Sequence, residues 1–203
     1  MIKNVVFDFG RVLVEFDPEY MTGKYISDPD DKKIASEVIF DRLYWDRLDA
    51  GTISDDELME GVRSRLPERL WEAADKVYAN WYRNLPQIPG MRELMRMIKE
   101  KYGVRVFVLS NISKGFAAHS GEIPILAEAE ICIFSAVCGH IKPDPDMFGY
   151  LCGHCGIEPE ETVFIDDNPK NVEGAEKCGI CGYLFDGNVG ALEKYLHVLL
   201  QTK

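Results

Sequence analysis

Near its start the chain runs Asn4-Val5-Val6-Phe7 and then meets Asp8-Phe9-Gly10. An apolar run this short, closed by turn residues, is the pattern of a strand buried on both faces of a parallel sheet. It predicts a first strand over residues 3–8, and similar runs predict strands over Val104–Leu109, Ile131–Val137, Thr162–Asp166 and Gly182–Phe185. Between them, helical spacing covers Met91–Lys101, 145–155, Pro169 to Gly179 and an amphipathic stretch over 190–201. Pro169 suits a first helical turn and Gly179 a C-terminal stop. Strands alternating with helices predict an α/β fold, a Rossmann-like parallel sheet core.

From about residue 18 to 86 the period changes. Ile34, Val38, Ile39 and Leu43 recur at helical spacing, then Leu58 and Val62, then Leu70, Ala74, Val77 and Trp81. Ser54 with Glu57 has the spacing of a capping box, and Asp28 and Asp30 around Pro29 suit a helix start. Pro86 and Pro89-Gly90 end the stretch. We therefore expect an all-helical cap over 18–86, inserted into a core made of 1–17 and 87–203. Neither an internal repeat nor a low-complexity tract is evident.

Polar residues gather where the apolar runs stop. Asp8 follows the first run, Ser110-Asn111 the second, Lys142-Pro143-Asp144 opens the loop after the third, and Asp166-Asp167-Asn168 closes the fourth. In open parallel sheets ligands bind beyond the carboxyl ends of the strands, so these points should converge. Together they supply an acidic nucleophile, a hydroxyl with an amide, one lysine and a second acidic pair. That set suits a phosphate and metal site. Two carboxylates facing a phosphate repel it by roughly 4 kcal/mol per unit-charge pair at 4 Å and intermediate dielectric, so a divalent cation must bridge them. Hard carboxylate oxygens favour Mg2+. Asp-Phe-Gly also occurs in protein kinases, but deep in the chain after a nucleotide lobe, which position eight excludes.

With 203 residues, 46% of them hydrophobic, the chain can bury a substantial core. A formal net charge of -11 argues against a general nucleic-acid or membrane-surface binder. No apolar run approaches the ~20 residues of a membrane span. Met1-Ile2-Lys3-Asn4 leads straight into a strand instead of a secretion signal, so a cytoplasmic location is expected. Four of the six cysteines form Cys152-x-x-Cys155 and Cys178-x-x-Cys181, a spacing that zinc can use. Ordinary buried or surface thiols are the favoured reading. Cys152-Gly153-His154-Cys155 also spells a disulfide-exchange motif, but it falls near a helix C-terminus, where thiolate is not stabilised. His119, His140 and His154 have no metal-ligand spacing.

These four segments, in this order, resemble the haloacid dehalogenase-like hydrolase superfamily, in the form with a helical cap after the first strand. The resemblance spans nearly the whole chain. Asp8-Phe9-Gly10-Arg11-Val12-Leu13 with Ser110-Asn111 is most similar to the sugar phosphatases related to alpha-glucose-1-phosphate phosphatase and to the phosphatase domain of soluble epoxide hydrolases. The resemblance implies that Asp8 attacks phosphorus and forms an aspartyl phosphate that water hydrolyses. Ser110 and Asn111 would hold phosphate oxygens, and Lys142 would neutralise charge on the transferring group. Asp8, the Gly10 backbone carbonyl and Asp167 would hold Mg2+, while Asp166 orients Lys142 or a metal-bound water and Asn171 supports the same loop.

One departure stands out. Most phosphatases of this superfamily have a second, acid-base aspartate where this chain has Gly10. General acid-base help is typically worth about 10²- to 10⁴-fold. A sugar-1-phosphate needs less of it, since an anomeric hydroxyl is a better leaving group than an ordinary alcohol. Alternatively, Asp17 or a cap residue supplies the proton. Arg11 is expected to contact a substrate anion or to solvate its loop. Trp45, Asp46, Arg47 and Asp49 before Gly51 are candidates to face the cleft and select the substrate, although an aromatic at helical spacing is more often core. The expected activity is a Mg2+-dependent phosphatase for a small phosphorylated metabolite such as a sugar phosphate, with no protein partner implied. Its rivals are a haloacid dehalogenase, a phosphomutase, and a pseudo-hydrolase that binds a phosphorylated ligand or partner.

Overall fold

The computed structural model describes residues 1–201. Its strands are β1 (Asn4–Phe7), β2 (Arg105–Ser110), β3 (Ile131–Phe134), β4 (Thr162–Asp166) and β5 (Cys181–Leu184), all parallel in the spatial order β3-β2-β1-β4-β5. Helices α1 (Pro18–Thr22), α2 (Pro29–Ile39), α3 (Arg42–Asp49), α4 (Asp55–Arg65) and α5 (Trp71–Asn80) all lie between β1 and α6 (Met91–Tyr102). The remaining helices are α7 (Lys114–His119), α8 (Ser135–Cys138), α9 (Pro145–Cys155), α10 (Pro169–Lys177) and α11 (Val189–Gln201).

Successive strand residues point to opposite faces, and both faces are apolar. Val5, Phe7, Val106, Val108, Val163 and Ile165 pack with Met91, Leu94 and Ile98 of α6 and Leu192 and Leu196 of α11. Val6, Phe107, Leu109 and Phe164 pack instead with Met147, Phe148 and Leu151 of α9 and Ala175 of α10. The first of these clusters continues without a break into Trp45, Leu58, Val62, Val77 and Trp81 of the helical stretch. Aromatic rings form the join: Phe9 stands 5.0 Å from Phe116, Phe116 5.3 Å from Trp81, and Trp81 5.0 Å from Trp45. Fully burying one such side chain is worth about 1.5–3 kcal/mol. The predicted caps are present. Ser54 and Glu57 form a reciprocal box at α4, and Asp28 accepts from the amides of Asp30 and Asp31 at α2.

One predicted strand is too long. The chain leaves the sheet at Ser135, where the expectation ran to Val137, and coils into α8. Ser135 Oγ accepts from the Ile112 amide at 2.8 Å and donates to the Asp49 carbonyl, tying this turn to both β2's exit and α3. Val137, an apolar residue in the pattern, is left exposed. The segment between β2 and β3 also holds α7 and short 3-10 turns that the apolar pattern did not indicate.

The turn Pro124–Glu128 is anchored to α6 by charge. Glu128, buried, accepts from Arg92 at 2.8 Å and Arg96 at 2.7 Å, with Lys99 at 3.3 Å and on the Glu128 carbonyl at 2.6 Å. The Arg96 hydrogen bond, joined by those of Arg92 and Lys99 against the cost of burial, holds its carboxyl down at about 2. A depressed carboxyl stabilises the fold above its unfolded value near 4.5 and loses that contribution as pH falls toward 2. Glu128→Gln should therefore cost about 2 kcal/mol at pH 7, a fall in Tm of roughly 4–8 °C, and the gap should close on acidification. Thermal denaturation of both proteins from pH 7 down to pH 3 checks this.

Candidate active site

Sheet register brings the acids together before any side chain is considered. Phe7 pairs with Ile165, and the Asp8 amide continues the ladder by donating to the Ile165 carbonyl at 2.8 Å. Asp8 therefore emerges beside Asp166, the last residue of β4. Into the gap comes Lys142, whose Nζ donates to Asp8 Oδ1 and to Asp166 Oδ2, each at 2.7 Å. Its side chain is 2% exposed, so this ammonium answers to those carboxylates and not to solvent.

The lysine is held by its backbone. Asn111 Nδ2 donates to the Lys142 carbonyl at 2.9 Å, and the Lys142 amide donates back to Asn111 Oδ1 at 2.8 Å. The Lys142–Pro143 peptide is cis, and Gly174 of α10 passes against it. A Cβ at Gly174 would stand 2.6 Å from the Pro143 carbonyl oxygen, so glycine is what lets α10 approach the lysine loop. Asn111 lines the cavity, and its side-chain amide also positions Lys142. Ser110 is buried and lines the cavity as expected.

Asp166 and Asp167 differ in what is left of them. Asp166 Oδ1 accepts from the Asn168 amide at 2.8 Å and Asn171 at 3.1 Å, while Oδ2 accepts from Lys142 and from Asn171 at 3.0 Å. A carboxylate has about four lone-pair sites, so Asp166 is saturated by the protein. Asp167 is half-buried, and its one charged neighbour at contact range is Arg11 Nη1 at 4.0 Å. Carboxylate oxygens of Asp8, Asp166 and Asp167 lie within 4.8 Å of one another, a hard donor set that fits Mg2+. Among the described residues it is the one such cluster of three or more acidic, histidine or cysteine side chains. The saturation of Asp166 leaves Asp8 and Asp167 as the chains with oxygens to spare.

Burial, reinforced by Asp166 and opposed by Lys142, pushes the Asp8 carboxyl up to about 6. Burial works against the charge on Lys142, but Asp8 and Asp166 outweigh it and hold the ammonium above its ordinary range. Burial and then Asp166 raise Asp167, with Arg11 opposing. Around Lys142 the three clustered acids outnumber the one ammonium they share, which is the electrostatic condition for taking up a cation there.

The acids floor a cavity of about 650 Å³ whose walls include Phe16, Phe40, Trp45, Asp46, Asp49 and Trp81 from the preceding loop and the helical stretch. Trp45 does line it, yet it is equally core: its Nε1 donates to the Ile39 carbonyl at 2.6 Å and is not free for a ligand. Asp46 lines the cavity and pairs with Arg42 at 2.5 Å, whereas Arg47 is not among the lining residues. Gly51, at φ +69, turns the chain out of α3 against Ala136. Asp17, the other expected proton source, is not among the lining residues and caps α1, accepting from the Tyr20 amide at 3.0 Å. Arg42 and Lys170 also line the cavity without having been singled out. A basic residue at a helix start carries no sequence signal of facing a cleft.

The remaining candidates lie elsewhere. His119 stacks on Tyr82 and pairs with Glu122, and His140 and His154 both pack on Tyr150. All six cysteines are free, and burial pushes Cys155 and Cys132 up to about 11, away from thiolate chemistry. Among the described residues no helix is long and apolar enough to cross a membrane.

Comparison with known proteins agrees with this geometry. D-ribitol-5-phosphate phosphatase of Bacteroides thetaiotaomicron is 25% identical over 195 residues, covering 88% of this chain and 89% of that protein. Flavin mononucleotide hydrolase 1 of Arabidopsis thaliana is 27% identical over 159 residues, 76% of this chain and 61% of the relative's length. A HAD family enzyme of Bacteroides thetaiotaomicron, crystallised with magnesium and inorganic phosphate, superposes with a TM-score of 0.71 at 23% identity, covering 95% of this chain and 99% of its own. L-2-haloacid dehalogenase of Xanthobacter autotrophicus superposes with a TM-score of 0.68 at 19% identity, covering 98% and 83%. The family of haloacid dehalogenase-like hydrolases matches residues 2–179, and the chain belongs to it.

Proposed function

We propose that the protein is a Mg2+-dependent phosphomonoesterase that hydrolyses a small phosphorylated metabolite, such as a sugar phosphate, through an aspartyl phosphate on Asp8. The observation that carries this reading is the division of labour between the paired acids. Asp166 is spent on orienting Lys142, while Asp167 keeps oxygens free beside Asp8. A dehalogenase has no use for a cation site there, since its substrate brings no phosphate charge to neutralise. Relatives named as phosphatases for ribitol phosphate and flavin mononucleotide support the same class of reaction.

Asp8, Asp167 and the Gly10 carbonyl would hold Mg2+, whose charge would let an anionic phosphate approach an anionic nucleophile. The chain's own residues do the rest. Asp8 attacks phosphorus with the oxygen not engaged by Lys142, splitting one difficult displacement into two easier ones. Lys142 neutralises charge on the transferring group, and Ser110 meets a phosphate oxygen. Residues 18–86 act as a cap, whose Trp45 and Trp81 wall the pocket and keep water from the acyl phosphate until the leaving group departs.

The test is phosphate release from a panel of sugar phosphates. Release should occur with Mg2+, stop with EDTA and return when Mg2+ is added in excess. Turnover that ignores chelation overturns the reading. Gly10, where a carboxyl is absent, favours a second one: a domain that binds phosphorylated ligands without hydrolysing them, for which the panel would show binding and no release.

A further inference from the structure

A phosphate monoester of an ordinary alcohol leaves as an alkoxide unless something protonates it. Lys142 is locked between two carboxylates, Asp166 is saturated, and Asp8 and Asp167 face the phosphate. Two acids in the cavity wall remain; Asp46 is paired with Arg42, which leaves Asp49, the last residue of α3. Its side chain is buried, and Oδ1 has no hydrogen-bond partner among the described residues. An unsatisfied buried oxygen costs about 1–3 kcal/mol, so its retention asks for an explanation. Its backbone is fixed, since the Asp49 carbonyl accepts from Ser135 Oγ and thereby ties α3 to the exit of β3.

We propose that Asp49 is the general acid of this enzyme, giving its proton to the departing oxygen and then serving as the base for the attacking water. This rests on the phosphomonoesterase reading above. In the first step an Asp8 oxygen bonds to phosphorus, the phosphorus–oxygen bond to the alcohol breaks, and the Asp49 proton passes to that oxygen. In the second, water bonds to phosphorus and loses a proton to the Asp49 carboxylate. The bond between phosphorus and Asp8 breaks, releasing inorganic phosphate and restoring both acids. Burial, with smaller contributions from Asp46 and Asp8 and against Arg42 and Lys142, pushes the Asp49 carboxyl up to about 8. That keeps it protonated at neutral pH. Tyr78, which also feels the charge of Asp49, donates its hydroxyl to Asp55 and does not occupy Asp49.

The test compares Asp49→Asn with wild type on two esters: 4-nitrophenyl phosphate, whose leaving group needs no proton, and the best alkyl phosphate of the panel. The quantity read is kcat/KM, which reports events up to departure of the alcohol. On the alkyl ester it should fall about 10²- to 10⁴-fold, and on the aryl ester less than about tenfold. The aryl activity of the same preparation shows that the variant is folded. Asp49→Ser, which leaves no carboxyl or amide, should give the same split. Equal losses on both esters, or none on either, would overturn the assignment while leaving the phosphatase reading intact. A wild type that hydrolyses neither ester overturns both.

Discussion

Asp8→Asn is expected to abolish metal-dependent phosphate release, by on the order of 10⁴-fold or more, and at the same time to make the metal-free protein more stable. The first effect follows because an amide cannot attack phosphorus, and nucleophile, lysine and paired acids act as a unit. The second follows from burial. An acid whose folded value lies at about 6, against 3.8 in the unfolded chain, holds its proton more tightly when folded. Stability then falls as pH rises through that window, and the penalty is complete above pH 6. Asparagine has the same shape, accepts from Lys142 through its carbonyl and never ionises. The variant should gain on the order of 1–3 kcal/mol at pH 7 over metal-free wild type, with the difference vanishing near pH 4. Urea denaturation at pH 4, 5.5 and 7, beside phosphate release, measures both. A variant that loses activity and stability together would indicate that Asp8 is a structural acid and not a nucleophile.

That trade is visible only in three dimensions, and it marks where reading the sequence stops. The short apolar runs and the polar residue beyond each were enough to predict that Asp8, Ser110, Lys142 and the acidic pair come together, because strand ends and turn chemistry are local. Ser54 with Glu57 was legible for the same reason. The clamp that Asn111 places on the backbone of a residue thirty-one positions away was not legible, since an amide after a strand carries no local sign of so distant a partner. Ile131–Val137 read as one strand because nothing local announces that Ser135 is drawn away by α3 and β2. Asp49 was one of several polar residues near Trp45. Only the packing of α3 against α8 gives it a buried, unpaired oxygen and separates it from Asp46, which Arg42 neutralises.

Lys142→Met tests the other half of the site, and here stability should fall instead of rise. Methionine approximates the volume of the lysine stem, so packing against Phe164 is largely kept. What disappears is the charge between two acids that are 8% and 0% exposed. Removing one partner of a buried ion pair costs about 3–5 kcal/mol, because the survivors stay desolvated and now repel each other. One of them must take up a proton for the chain to fold, so the folded value of that acid rises further above its unfolded one. The loss should therefore be greatest at pH 7 and shrink toward pH 4, the same sign of pH dependence that Asp8→Asn removes. Mg2+ should restore part of the stability by binding only the folded state, about 2.7 kcal/mol at a hundredfold excess over Kd. Activity should not return with it, since the cation cannot also supply the lysine's charge on the transferring group. Calorimetry at pH 4 and pH 7, with and without Mg2+, separates the two contributions. If the loss were independent of pH, Lys142 would matter through its packing, and the coupling of its charge to Asp8 would have to be abandoned.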